Sequence, residues 1–269
     1  ADAPSGSTIE MTADIAGMTT DMIATVPVGK TFTLNMAGHS ITVDQAFTGR
    51  PIVNEGVLTI TGNGTIDSSD SEAGGFGAVN NKGTLIVENG TYRGAKYASG
   101  SSLRNTGAGA VLTVKDGLFE EATCAIFNEG TVTINGGVVY AEGGADSTSI
   151  GSGNRAIGTS DNGAFTTGTG GNAVIVAPDG IGDPSGFADW DGIFISYEGS
   201  NTSATVGEDG TVHLNDTEAN IQVWGEPVID YPLVVESGTE LLVVQNDRNY
   251  AYATLEIGQD GKLTNNGTV

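Results

Sequence analysis

The sequence predicts an all-β fold: a right-handed parallel β-helix in which one short phrase is laid down lap upon lap. Three observations carry this. The phrase Ile52-Val53-Asn54-Glu55-Gly56-Val57-Leu58-Thr59-Ile60 returns at Val79 to Val87, at Leu103 to Val114 (delayed by Ala108-Gly109-Ala110) and at Ile126 to Ile134. Within each copy apolar residues alternate with small or polar ones, as in Leu58/Ile60, Leu85/Val87, Leu112/Val114 and Val132/Ile134, which is the period of a half-buried strand. Each copy is followed by a tight-turn signal, Gly62-Asn63-Gly64, Asn89-Gly90, Asp116-Gly117 or Gly136-Gly137, where Gly and Asn accept positive φ cheaply. Self-similarity at this period marks a solenoid.

The spacing sets the lap. The steps between Asn54, Asn81, Asn105 and Asn128 are 27, 24 and 23 residues, room for three short strands and three corners. Equivalent strands of successive laps then pair in parallel ~4.8 Å apart, and equivalent side chains stack into columns. Ile52, Val79, Leu103 and Ile126 form one apolar column, and the residues after each turn, Ile66, Tyr92, Phe119 and Val139, form another. Asn54, Asn81, Asn105 and Asn128 are expected to form an asparagine ladder at an inner corner, a structural feature. At about 25 residues per lap the chain would make on the order of ten laps, ~50 Å of axis, as one elongated domain.

Taken in order, residues 1–25 are Thr/Met/Ala-rich and weakly patterned, and are expected to cap the open end. The regular Asn-x-Gly coils occupy 26–140. They open with Val26-Pro27-Val28-Gly29-Lys30-Thr31-Phe32-Thr33-Leu34-Asn35-Met36-Ala37-Gly38-His39-Ser40-Ile41. In Gly29, Lys30, Leu34, Gly38, His39 and Ile41, and in the laps that follow, this stretch resembles repeat regions of bacterial secreted and wall-attached surface proteins with a pectate-lyase-like β-helix. The resemblance extends over roughly 20–140 and implies an architecture more than an activity, since such helices carry unrelated functions. Between 141 and 191 the phrase thins into coils with long loops; a trace survives at Ala156-Ile157-Gly158, with Thr159 in the place of the ladder Asn. From 192 to 269 a variant phrase governs. Val206-Gly207-Glu208-Asp209-Gly210-Thr211-Val212 returns 51 residues on as Ile257 to Leu263, close to two laps. Thr264-Asn265-Asn266-Gly267 restates the Asn-x-Gly opening, and the expectation is that the native protein continues past Val269.

Composition bounds the partners. Net charge is −23, from 33 acidic and 10 basic residues, which disfavours phosphate backbones and anionic lipid surfaces, so neither nucleic acid nor membrane insertion is expected. Five of the basic residues, Lys82, Arg93, Lys96, Arg104 and Lys115, fall between 82 and 115, making that region locally less negative. Cys124 is the one cysteine, read as a small hydrophobe beside the apolar column.

Catalytic and metal signatures are weak. A β-helix glycosidase needs two carboxyl groups at defined separation; the candidates are Glu120-Glu121, Asp67/Asp70/Glu72 and Asp189/Asp191, and none is assigned a catalytic role. His39 and His213 are read as structural or solvated. Calcium is conceivable at Asp179-Gly180-Ile181-Gly182-Asp183, but no EF-hand or nonapeptide spacing exists, so no metal site or cofactor is assigned. Aromatics make up 6% of the chain, and several gather late. Trp190, flanked by Asp189 and Asp191, with Tyr197 and Trp224, is the candidate ligand-binding set, because exposed aromatics stack on sugars or anchor protein partners. The functional expectation is an extracellular, bacterial cell-surface adhesin-like module that binds a host glycan or a host protein such as mucin or immunoglobulin, by a flat strand face or by the loops at 141–171 and 177–191. A polysaccharide-active enzyme and a non-binding stalk are the alternatives.

Overall fold

The computed structural model describes residues 3–72, 77–94, 101–121, 124–141, 157–159, 164–165, 173–176, 192–197, 204–215, 218–224, 228–229, 231–237, 240–245, 256–257 and 262–265. It is a β-solenoid of stacked parallel strands. The first lap is β1 (Ser7–Glu10), β2 (Ile15–Met18) and β3 (Ala24–Val26). The second is β4 (Thr31–Asn35), β5 (Ser40–Val43) and β6 (Ile52–Asn54); the third is β7 (Val57–Thr61), β8 (Thr65–Asp67) and β9 (Val79–Asn81). Then follow β10 (Thr84–Val87), β11 (Thr91–Arg93) and β12 (Leu103–Asn105), and β13 (Val111–Val114), β14 (Leu118–Glu121) and β15 (Ile126–Asn128). The sixth lap is β16 (Thr131–Ile134), β17 (Val138–Ala141) and β18 (Ile157–Thr159), after which come β19 (Ala164–Phe165) and β20 (Ala173–Val176).

The first strand of each lap joins sheet A, the second sheet B and the third sheet C, all parallel. Phe32, Leu58, Leu85, Leu112 and Val132 stack inwards from sheet A, and Ile52, Val79, Leu103, Ile126 and Ile157 from sheet C. Sheet B contributes Ile41, Ile66, Tyr92, Phe119, Val139 and Ile175, in which the Tyr92 and Phe119 rings stack 5.1 Å apart. Such columns form because a parallel register places identical positions directly above one another. Burial pushes the Tyr92 phenol above its ordinary pKa, and its hydroxyl donates to the Asn89 carbonyl at 3.0 Å.

The stretch expected to serve as a cap pairs as a lap like the others, its Ile9 aligned with Leu34 of β4. Its interior is only partly closed. Ile9 and Met22 are exposed, and a cavity of about 870 Å³ opens among Ile9, Met22, Val26, Phe32, Leu34 and Leu58.

The solenoid has about six laps, not ten, because the chain changes course after β20. Strand β21 (Gly192–Tyr197) adds to sheet B beside β20, and β24 (Glu218–Trp224) then pairs with β21 antiparallel. Strands β22 (Ala204–Val206) and β23 (Val212–Leu214) form a hairpin, joined in parallel by β26 (Pro232–Val235) and β29 (Lys262–Asn265) to make a fourth sheet, D. The variant phrase therefore makes the turn of a hairpin, with Gly210 at φ +79, and the last residue of its echo, Leu263, lies two parallel strands away, Val212 and Leu263 both aligning with Leu233. In parallel with these, β24 pairs with β27 (Glu240–Gln245), and β25 (Val228–Ile229) with β28 (Glu256–Ile257).

Sheet D packs on the outer face of sheet B. Leu118, Val138, Tyr140, Val174, Val176, Ile193 and Ile195 meet Ala204, Val212, Leu214, Leu233 and Val235 in a second apolar core, and the Tyr140 hydroxyl donates to the Ala204 carbonyl at 2.7 Å. Sheet B thus has a core on each side. The outward ranks of sheet B prepare for this: Ser40, Thr65 and Thr91 give way to Leu118, Val138, Val174 and Ile193. A coil that keeps its hand but moves its interior to the other side of a shared sheet must cross that sheet in the opposite direction. The antiparallel β21–β24 pair is where this occurs.

Val138 is fully buried in this second core. Val138→Lys is expected to cost about 3 kcal/mol or more by burying an unpaired charge. Limited proteolysis should then cut within 204–265 while the first four laps stay protected; uniform protection would contradict the two-core arrangement.

Candidate binding surfaces

Two corners of the solenoid are tight and one is not. Over the first five laps and into the sixth, sheet C passes to sheet A through 27–30, 55–56, 82–83, 106–110 and 129–130, and sheet A to sheet B through 11–14, 36–39, 62–64, 88–90, 115–117 and 135–137. The connections from sheet B to sheet C span 44–51, 68–78, 94–102, 122–125 and 142–156.

The tight corner after sheet C is built by the asparagines. Asn54, Asn81 and Asn105 each donate Nδ2 to the Oδ1 of the next in line, Asn81, Asn105 and Asn128, at 2.7 Å. The same amides reach the Thr84, Val111 and Thr131 carbonyls at 2.8, 2.9 and 3.0 Å. Aspartate would lack the donor, and glutamine would overshoot the corner. The Oδ1 atoms of Asn54, Asn81 and Asn128 also accept from the amide two residues on. The Asn81 and Asn128 amides also donate to the Gly83 and Gly130 carbonyls, and in the delayed copy Asn105 donates to the Ala110 carbonyl. Thr159 aligns with Asn128 in the sixth lap.

At the wide corner, buried polar side chains pin the connections to the laps. Arg50 is buried and donates to the Ser101 carbonyl at 2.5 Å, to Ser101 Oγ at 3.0 Å and to the Val79 carbonyl at 3.4 Å. Ser68, Ser71 and Ser102 donate to the Gly77, Phe47 and Ala125 carbonyls. Buried Cys124 donates to the Ile126 carbonyl. Nothing in the sequence marked Arg50 as internal; only the fold shows that the carbonyls of two later laps surround it.

The carboxylates of Asp67 and Glu120 are brought to one place, two laps apart, with Arg93 between them. Arg93 Nε lies 2.8 Å from Glu120, and its amino groups 3.6 Å from Asp67 and 3.8 Å from Glu208 in the β22–β23 turn. Partial burial opposes the Arg93 charge, but Glu120, Asp67 and Glu208 outweigh it, so its pKa lies above that of an ordinary arginine. Glu208 escaped the sequence reading because it reaches Arg93 only through the fold-back of sheet D. The basic residues of 82–115 pair across laps elsewhere too: Lys82 with Glu55 at 3.0 Å, Arg104 with Glu129 at 2.9 Å and Lys115 with Glu88 at 3.0 Å. The Lys115 hydrogen bond lowers the pKa of Glu88. Arg104 also lies over the Phe127 ring, 4.9 Å from its centroid.

Asp70 and Glu72 sit in the wide-corner connection 68–78, and Glu72 accepts from Gln45 at 3.5 Å. His39 meets Asp14 at 3.2 Å and His213 meets Glu236 at 3.0 Å. Hydrogen bonds from the Ser40 amide and from His39 lower the pKa of Asp14. Trp190, Asp189, Asp191 and the Asp179–Asp183 stretch lie outside the described residues. Tyr197 and Trp224 stand at opposite ends of the β21–β24 pair, Tyr197 aligned with Ala219 and Trp224 with Gly192, so the register separates them by ~17 Å along the strands. Among the described residues no three His, Cys, Asp or Glu side chains converge as metal ligands would, and no helix is long and apolar enough to cross a membrane.

Comparison with protein-family models, with curated proteins and with solved structures found no match to this chain.

Proposed function

We propose that this protein is a binding module: a rigid solenoid that presents a recognition edge to a partner outside the bacterial cell, with a host glycan or host protein as ligand. The observation that carries this reading is the confinement of the long connections to one corner, 44–51, 68–78, 94–102 and 142–156, while the other corners stay short over the same laps. In a solenoid, insertions gathered on one side are the usual recognition surface. The buried Arg50, Ser68, Ser71 and Ser102 bonds hold the bases of 44–51, 68–78 and 94–102, which lowers the ordering entropy lost on binding. The extracellular, adhesin-like setting rests on the resemblance of the Gly29–Ile41 opening and the Asn-x-Gly laps. For the Asp67–Glu120 pair catalysis is the weaker reading, because both carboxylates are engaged by the Arg93 guanidinium.

The test is a screen of the purified chain on mammalian and microbial glycans, mucins and immunoglobulins, with and without calcium. The expected result is a specific ligand whose binding weakens about tenfold or more on Trp190→Ala or on shortening 94–102. A blank across all surfaces would overturn the reading in favour of a spacer, and release of glycan products would replace it with an enzyme.

A further inference from the structure

The inward columns end unevenly at the first lap. In sheet A, Ser7 stands in register with Phe32 and Leu58, and in sheet C, Ala24 stands in register with Ile52 and Val79. The sheet B column keeps its bulk, Ile15 aligning with Ile41. Two small side chains thus leave a hollow between sheets A and C, and the cavity of about 870 Å³ lies there. The strand residues that line it, among them Ile9, Phe32, Leu34 and Leu58 of sheet A and Val26 and Ile52 of sheet C, include none from sheet B. The hollow comes from side-chain size and not from fraying, since β1 pairs with β4 and β3 with β6 in unbroken register.

A volume of this size is that of a small-molecule site. A second copy stacked end to end is a poor occupant. Strand β2 is bulged between Ile15 and Met18, with Gly17 at φ +64, and a bulged edge does not template another strand. A peptide loop fits poorly too. The lining side chains are apolar apart from Thr25 and Lys30, so backbone amides buried among them would go unpaired. An alkyl chain carries no such cost and gains from leaving water.

The charge at the mouth selects the head group. Lys30 is the one charged residue of the lining, and it is exposed, as are Ile9 and Met22 beside the opening. The chain carries a net charge of −23, and Lys82, Arg93, Arg104 and Lys115 all meet carboxylates of neighbouring laps. Lys30 joins no ion pair among the described residues, and its flexible stem leaves the ammonium free to meet a bound anion. We infer that the open end of the first lap binds a single-chain amphiphile with an anionic head, a long-chain carboxylate, with its alkyl chain between sheets A and C and its carboxylate on Lys30. The acidic surface of the molecule repels anionic bilayers, so the ligand enters as a monomer. This site lies at the end of the coil and not at the wide corner, so it stands or falls separately from the recognition edge.

The test titrates the whole chain with dodecanoate and decanoate, each below its micellar concentration, by calorimetry. Three variants are compared: Lys30→Gln; Lys262→Gln as control, at an exposed lysine of sheet D that is likewise without an ion pair among the described residues; and Ser7→Leu/Ala24→Ile, which completes the two columns. The expected result is one dodecanoate per chain, with decanoate about 15-fold weaker for its two missing methylenes. Lys30→Gln should weaken dodecanoate about fivefold and Lys262→Gln should leave it unchanged. Ser7→Leu/Ala24→Ile should abolish binding with a thermal melt no lower than that of the parent chain. No dodecanoate bound by the parent, or no difference between the two lysine variants, would overturn the proposal. So would binding that survives Ser7→Leu/Ala24→Ile, or a lowered melt in that variant, which would mean that the space is not there. Adsorption to phosphatidylcholine/phosphatidylglycerol vesicles without uptake of free dodecanoate would overturn it in favour of a membrane surface.

Discussion

Gly83→Ala is expected to remove about 4 kcal/mol of stability, a large share of the total for a domain. Gly83 closes the corner after Asn81, and a Cβ there would lie 2.1 Å from the Gly56 carbonyl oxygen and 2.9 Å from the Glu55 carbonyl carbon. Both are backbone atoms of the preceding lap, so no side chain can rotate away. Relief requires the laps to part, which breaks the bonds from the Thr84 amide to the Gly56 carbonyl at 2.8 Å and from the Lys82 amide to the Asn54 carbonyl at 2.7 Å. Gly109→Ala is the control: nothing lies within 4 Å of its added carbon, and it should stay within about 0.5 kcal/mol of the parent chain. Urea unfolding followed by circular dichroism gives the difference. Because stacked laps need not unfold together, hydrogen exchange at Lys82 and Thr84 shows whether the loss is centred on this corner. Equal effects of the two substitutions would mean that the laps are not in the close contact described.

Asn105→Leu and Asn105→Asp are expected to be nearly as damaging, for separable reasons. Asn105 is fully buried, accepts from Asn81 and donates to Asn128, Thr131 and Ala110. Leucine removes the whole set and leaves the Thr131 carbonyl without its side-chain donor. At 1–3 kcal/mol per buried group left unsatisfied, the cost is about 3 kcal/mol. Aspartate keeps the acceptor for Asn81 but sets a carboxylate against the Thr131 and Ala110 carbonyls and the Asn128 oxygen. Its folded pKa would therefore be raised above the unfolded value of about 3.9. For such a group the unfolded state gives up its proton first, so the penalty is largest at neutral pH. It shrinks as pH falls through the folded pKa, and is least below the unfolded one. Measured at pH 7 and pH 5, Asn105→Asp should regain stability relative to the parent chain at the lower pH, whereas Asn105→Leu should not. A pH-independent Asn105→Asp deficit would show that the corner is wet and the ladder not closed.

Much of the regular half of the molecule was legible because its signals are local and repeated. The Asn-x-Gly phrase specifies a corner, the alternating Leu/Ile/Val specifies which side of each strand faces in, and the step of 23–27 residues specifies what lies above what. The asparagines and the columns through Ile52 and Tyr92 stand in the registers that these spacings imply. Surface features were harder to read. The cluster of basic residues between 82 and 115 was visible, but that Arg93 would gather Asp67, Glu120 and Glu208 depends on three separate chain segments meeting. One available signal went unused. Val138-Val139-Tyr140-Ala141 and Ala173-Val174-Ile175-Val176 are continuous apolar runs, the mark of strands buried on both faces, and all eight residues are buried.

What the sequence determined by itself is the lap: its length, its corners and its inward columns. Each follows from residues a few positions apart, repeated until the register has no alternative. What only the tertiary structure decided is where that register ends and what covers it. The chain stops adding laps to the first coil because the outer face of sheet B turns apolar from Leu118 onward, and that surface is buried only when residues 204–235 fold back onto it. Tyr231 reaching Asp116 and Tyr140 reaching Ala204 join segments far apart in the chain, with no periodicity to announce them. A repeat encodes its own stacking because neighbouring copies carry the same instruction. A contact between two different faces is encoded only by their complementarity, which appears once both have been built.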